Sequence, residues 1–179
     1  LKPAVELLAG IPSVVYGFFG MIILVPLVRE LFGGDGNSIV TASVLLGIMI
    51  LPTIISVSES ALRAVPDSYY EGSLALGATH ERSVFFTVVP AAKSAIFAAV
   101  VLGIGRAIGE TMAVIMVCGN QARIPTNVLR GVRTLTANIV MEMGYAADLH
   151  REALIATGVV LFVFILIINL SFSLIKKKD

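Results

Sequence analysis

PDSYYEGSLALGATHERSVFFTVVP, residues Pro66 to Pro90, is a polar and charged interruption between long apolar runs. Ser68 and Glu71 stand in the S-x-x-E spacing of a capping box, where each side chain accepts from the other residue's backbone N–H, so a short helix is expected to start there. Pro66 just upstream cannot continue an earlier helix, because it has no N–H to give. Gly77 can take the left-handed conformation that closes a helix, and Thr79 can cap a second one. The expectation is two short helices joined at Gly77, held at a membrane surface by the runs on either side. Such an element suits docking a soluble partner better than it suits chemistry.

The rest of the composition supports a membrane reading. Of 179 residues 57% are hydrophobic and only 14% charged, against about 25% charged in soluble domains. Mean hydropathy is +0.95. Uncharged runs of this length argue for spans rather than for a very apolar soluble fold. A formal net charge of +1 gives no overall field that would draw nucleic acid. One cysteine, Cys118, excludes an internal disulfide. Leu1-Lys2-Pro3 does not read as a signal peptide, and the chain is expected to be the C-terminal portion of a longer protein that has further N-terminal helices.

Four runs are candidates for spans. No charge falls between Glu6 and Arg29, and Pro12 and Pro26 are expected to bend or break that run. After the turn-rich Gly33-Gly34-Asp35-Gly36-Asn37, a second run extends to Ser58 with Pro52 inside it. Glu59 and Arg63 then stand four apart, as a helical ion pair would. The third run is expected to begin near Lys93 and end near Gly119, with Gly105-x3-Gly109 as a pattern for close helix approach. A polar connection, Asn120 to Glu152, follows, and its middle from Val128 to Met143 reads as a short helix or a re-entrant piece. The last run, Ala153 to Ile175, ends at Lys176-Lys177-Lys178. The fold class is therefore all-α: a single polytopic helical bundle over residues 1–179, with about four transmembrane helices and the 66–90 loop on one side.

Orientation rests on the lysines. A basic cluster immediately after a span is retained in the cytoplasm, which puts 66–90 inside and 120–152 outside. Seven basic residues then lie inside (Lys2, Arg63, Arg82, Lys93 and Lys176 to Lys178) against five outside (Arg29, Arg123, Arg130, Arg133 and Arg151).

Arg106 and Glu110 are the sharpest chemical signal. Read as a continuous helix, the third run places them one turn apart on one face, where each can neutralise the other. A charge at that depth costs about 2.5–3.5 kcal/mol on insertion scales, so it should face a partner or a wet cavity. One reading is a pair that locks helix to helix; the other is the lining of a passage. Arginine offers a planar fork of donors that suits phosphate, and Glu110 beside it would keep an anion from being held too tightly. His80 and His150 read as solvated surface residues, and Tyr69 and Tyr70 as interfacial anchors or apolar contacts for a partner. Two distant histidines and one cysteine make no metal-ligand cluster, and no serine has a His and an acid at a nucleophile's spacing. The G-x4-G-K-[ST] pattern is absent from the sequence, so ATP phosphates have no recognisable site in it.

The 66–90 segment also resembles the E-A-A-x3-G-x9-I-x-L-P loop of ABC importer permeases. Glu71, Gly77 and Pro90 fall at the family spacing, whereas Gly72 and Ser73 replace the two alanines, Thr87 the isoleucine and Val89 the leucine. Gly10 to Gly17, GIPSVVYG, then Gly105 to Met112, GRAIGETM, and Leu135 to Asn138, LTAN, are similar to the permease of the phosphate-specific importer. The resemblance implies a non-enzymatic transport subunit of the cytoplasmic (inner) membrane. Ser68, Glu71, Gly72, Ser73, Gly77 and Pro90 would couple it to the ATPase, and Arg106 and Glu110 would line the phosphate passage. It further implies a second permease subunit, two cytoplasmic ATPase subunits that bind the ATP, and an extracytoplasmic phosphate-binding protein, all arranged around a lipid bilayer. A permease for another oxyanion and a passive anion channel are the competing readings. A channel would have no use for the 66–90 loop, and an intramembrane enzyme would need a catalytic pair that the sequence lacks.

Overall fold

The computed structural model describes residues 2–176, and these form eight helices with no β-strand among the described residues. A short α1 (Lys2–Ala9) precedes α2 (Ser13–Phe32), α3 (Ile39–Arg63), α4 (Asp67–Ala75) and α5 (His80–Gly109). There follow α6 (Met112–Val117), α7 (Leu135–Glu142) and α8 (Asp148–Lys176). α2, α3, α5 and α8 are long and apolar enough to cross a membrane. Lys177 and Lys178, on which the orientation partly rests, lie outside the described residues.

The prolines act differently from one another. Pro12 does break the chain: it stands in an extended conformation (φ −60°, ψ 143°) as the N-cap of α2, separating α1 from it. Pro26, expected to bend or break the first span near its end, does not break it. Gly20–Leu24 widens into one π-turn, in which the Val25 N–H bonds back to the Gly20 carbonyl, and the helix runs on through Pro26. Pro90 sits identically after a second π-turn, Val84–Val88, where the Val89 N–H reaches Val84. A proline ring inside an α-helix clashes with the carbonyl four residues earlier, and a wider turn moves that carbonyl away. The second helix of the 66–90 loop is therefore not short. It is the first turns of a 30-residue helix, α5, that continues into the third span.

Helix packing follows the small residues, though not the pair expected. Gly103, not Gly105 or Gly109, meets α3: a Cβ added there would lie 2.7 Å from Ile54, while nothing approaches the other two within 4 Å. Gly17 brings α2 onto α6, with Ala113 Cα 2.9 Å from where its Cβ would stand. The buried core lies there, around Tyr16, Leu45, Met49, Ala113, Val114 and Val117. Tyr16 satisfies its hydroxyl by donating to the Leu8 carbonyl at 2.9 Å, which fixes α1 against α2. The outer faces of α2 and α8 expose Phe18, Ile22, Phe162 and Phe164 among others, as lipid-facing helices require.

The third span ends earlier than expected. α5 stops at Gly109, Glu110 turns extended (φ −69°, ψ 129°), and a short α6 completes the run to Val117. Beyond it the 119–134 segment folds back, with the Val132 N–H donating to the Cys118 carbonyl at 3.0 Å. The middle of the polar connection then forms α7, whose eight residues are too few to span a bilayer.

Candidate functional site

The turn between α4 and α5 is built from backbone upward. α4 begins at Asp67 with Pro66 as its N-cap and no side-chain cap, so the Ser68–Glu71 capping box does not form. Ser68 lies one residue inside the helix, because Pro66 already supplies the break. At the other end Gly77 takes φ +87°. The Gly77 N–H donates to Leu74 at 2.9 Å and the Ala78 N–H to Ser73 at 3.2 Å, the double bond of a Schellman closure. Thr79 then caps α5, accepting from the Arg82 N–H at 3.4 Å. Gly77 and Thr79 thus take the conformations their residue types suggested.

Side chains lock the two helices at this turn. Tyr70 Oη and His80 Nδ1 are 2.7 Å apart and their rings meet edge to face at 5.7 Å. His80 is exposed, as expected of it, but also tied to Tyr70. Thr87 Oγ1 donates to Ser73 Oγ at 3.4 Å. Glu71 and Gly72 face outward, and Leu76 at the tip is 91% exposed. The turn is an apolar-tipped knuckle that presents a carboxylate.

Arg106 and Glu110 are not brought together. Arg106 Nη1 donates to Thr53 Oγ1 on α3 at 3.1 Å. Glu110 accepts instead from the Thr111 and Ala113 N–H groups, at 3.1 and 3.3 Å, and so caps α6. Their expected mutual neutralisation assumed a helix continuous through both, and the chain leaves that helix between them. They open onto different cavities. Arg106 lines a recess of about 660 Å³ between α3, α5 and α8, whose other polar walls are Thr53 and Asn169 and whose remainder is apolar. Glu110 lines a smaller one of about 230 Å³ with Ser43, Thr134 and Thr136. Thr53 and Asn169 escaped the sequence reading because they carry no charge. The signal that could have found Asn169 is an amide inside an otherwise apolar span.

A second polar cluster lies at the α7–α8 end. Arg133 Nη1 meets Glu142 Oε1 at 2.7 Å, and His150 Nε2 stands 3.6 Å from Glu142 Oε2. The Tyr145 hydroxyl, bonded to Glu142, holds that carboxyl below its ordinary range, with Arg133 and His150 adding to the effect. His150, expected to be merely solvated, is part of this cluster. Among the described residues no group of three or more His, Cys, Asp or Glu could hold a metal ion.

Four apolar helices, a helix–turn–helix knuckle and an exposed arginine lining a recess between three of those helices define a multi-pass membrane protein of transport type. A family model described as "Binding-protein-dependent transport system inner membrane component" matches residues 1–178, and the chain belongs to that family. A probable ABC transporter permease protein of Bacillus subtilis is 43% identical over 94% of this chain and 57% of its own length. A phosphate transport system permease protein of Xylella fastidiosa is 37% identical over 89% of this chain and 56% of its own length. One from Mesorhizobium japonicum is 36% identical over 92% and 57%. The chain thus spans little more than half the length of these relatives. No solved structure gives a significant match.

Proposed function

We propose that this chain is the spanning and coupling portion of a permease that imports inorganic phosphate, driven by ATP that a separate subunit hydrolyses. The observation that carries the reading is Arg106, held by Thr53 in a recess between three spans. An arginine there can meet a tetrahedral oxyanion with two parallel donors, and its Thr53 bond is a contact that an anion can replace. The names of the relatives favour phosphate as that anion.

The knuckle transmits the stroke. Ser68, Glu71, Gly72, Ser73, Gly77 and Pro90 belong to an element continuous with the passage wall, since α5 carries both His80 at the knuckle and Arg106 at the recess. A cytoplasmic ATPase pair that seats this turn would rock α5 as a rigid rod and expose the Arg106 recess to each side alternately. A second permease subunit would close the open side of the recess, and an extracytoplasmic binding protein would deliver the anion. The C terminus and the knuckle lie in the cytoplasm and the 120–152 connection outside. Glu110 contributes to the passage by fixing the break that ends α5. The test is uptake of radiolabelled phosphate by the assembled complex in liposomes: anion-dependent ATP hydrolysis with uptake supports the reading, and uptake without ATP would make the protein a channel.

A further inference from the structure

Asn169 is the polar group of the recess that the transport reading leaves without a task. It lies on α8 in a run that carries no charged residue from Ala153 to Ile175. Its side chain is exposed, lines the Arg106 recess, and makes no hydrogen bond among the described residues. An amide in a lipid-crossing helix needs a partner, because hydrocarbon offers it none. Arg106 has Thr53; the amide has the recess itself.

We propose that Asn169 and Thr53 complete, with Arg106, a three-sided binding wall for a tetrahedral oxyanion that still carries a proton. The inference rests on the reading of Arg106 as a passage residue. The chemistry follows from the donor and acceptor inventory. Arg106 has donors only, and it neutralises charge. Asn169 has both an NH2 donor and a carbonyl acceptor, and Thr53 both donates and accepts. A monoionised or diionised phosphate has bare oxygens and at least one P–OH, and needs both kinds of partner. A wall of arginines or lysines would leave that P–OH unmatched and would hold the anion too tightly for release. Neutral groups on two sides and one cation on the third bind the anion without trapping it. The three residues come from three helices, α3, α5 and α8, so sliding these helices past each other opens the wall and releases the anion.

The test uses the full-length permease assembled with its partner subunits, with Cys118→Ala as the parent. Asn169→Cys is exposed to an anionic, water-soluble thiol reagent, and Asn169→Leu and Asn169→Gln are assayed for uptake of inorganic phosphate. The proposal expects Asn169→Cys to be labelled and excess phosphate to slow that labelling. It expects Asn169→Leu to lose about tenfold in uptake per assembled complex, and Asn169→Gln, which keeps the amide, to regain most of it. Absence of labelling means that Asn169 faces lipid or another helix and overturns the proposal. So does uptake by Asn169→Leu at the parent rate, or a loss no larger than its loss of assembly. Arg106→Ala in the same assay separates the two levels. If it transports normally, the passage reading itself fails; if it is inactive while Asn169→Leu is normal, only the role of Asn169 falls.

Discussion

Thr87 Oγ1 and Ser73 Oγ lie 3.4 Å apart, across the turn between α4 and α5. These are two of the positions at which the sequence departs from the permease loop pattern, a hydroxyl standing for an alanine at one and for an isoleucine at the other. The departures meet each other, and a polar contact stands where the pattern would have an apolar one. Such a contact contributes about 0.5–1.5 kcal/mol. Thr87→Ile alone should weaken the turn slightly, because it strands the Ser73 hydroxyl against an aliphatic side chain. Thr87→Ile together with Ser73→Ala should recover parental thermal stability and uptake. A double variant less stable than either single one would show that the two hydroxyls have other partners.

Gly77 sets the angle of the knuckle. Its φ of +87° is strained for any residue with a Cβ, by about 1–2 kcal/mol, and more for a β-branched one. No neighbouring atom obstructs a side chain there, so the effect of Gly77→Val is one of backbone conformation alone. The variant should insert normally while association with the ATPase and phosphate uptake both fall. Co-purification of the ATPase measures this, and parental association with parental uptake would remove the turn from the mechanism.

Orientation is checked with single cysteines placed at Ser73 and at Asn127 after Cys118 is replaced. An impermeant thiol reagent should reach position 73 only from the cytoplasmic side and position 127 only from outside. Reaction of both from one side would contradict the arrangement of four crossings.

The α7–α8 cluster makes a prediction about pH. Glu142 binds protons less readily folded than unfolded, owing first to Tyr145 and then to Arg133 and His150. A carboxyl with a lowered folded pKa adds stability above its ordinary value, about 4.3, and that contribution is lost as pH falls through the folded value. Melting of the purified protein should therefore drop as pH falls below about 4.3, and Glu142→Gln should flatten that drop while lowering stability at neutral pH. An unchanged profile in Glu142→Gln would assign the acid sensitivity to other groups.

Where the sequence was legible, residue chemistry alone determined the outcome. The apolar runs are long enough to be spans, and Gly77 is a glycine standing where the first helix of the loop closes with positive φ. It failed where one local rule overrode another. Pro26 looks like a helix breaker because the proline rule assumes α geometry, and the π-turn at 20–24 escapes it, as the one at 84–88 does before Pro90. Arg106 and Glu110 look like a pair because the four-residue spacing assumes an unbroken helix, and nothing in Gly109-Glu110-Thr111 announces that Glu110 caps the next one. Gly103 packs on Ile54 while the Gly105–Gly109 pattern faces open space, since which face of α5 meets α3 depends on long-range packing. Asn169 and Thr53 were missed because a search among charged groups passes over neutral ones.

Arg106 is proposed to meet the anion in transit, and its separation from Glu110 makes that role testable on its own. Arg106→Ala should assemble with its partners yet lose about a hundredfold in uptake. Arg106→Lys should also be impaired, because an ammonium lacks the planar fork. Adding Glu110→Ala to Arg106→Ala should restore nothing, since Glu110 caps α6 and does not neutralise Arg106. The measurement is radiolabelled phosphate uptake per assembled complex in liposomes. Uptake that stays lost in both the single and the double variant is the predicted result; recovery in the double variant, or parental uptake by Arg106→Ala, would contradict it.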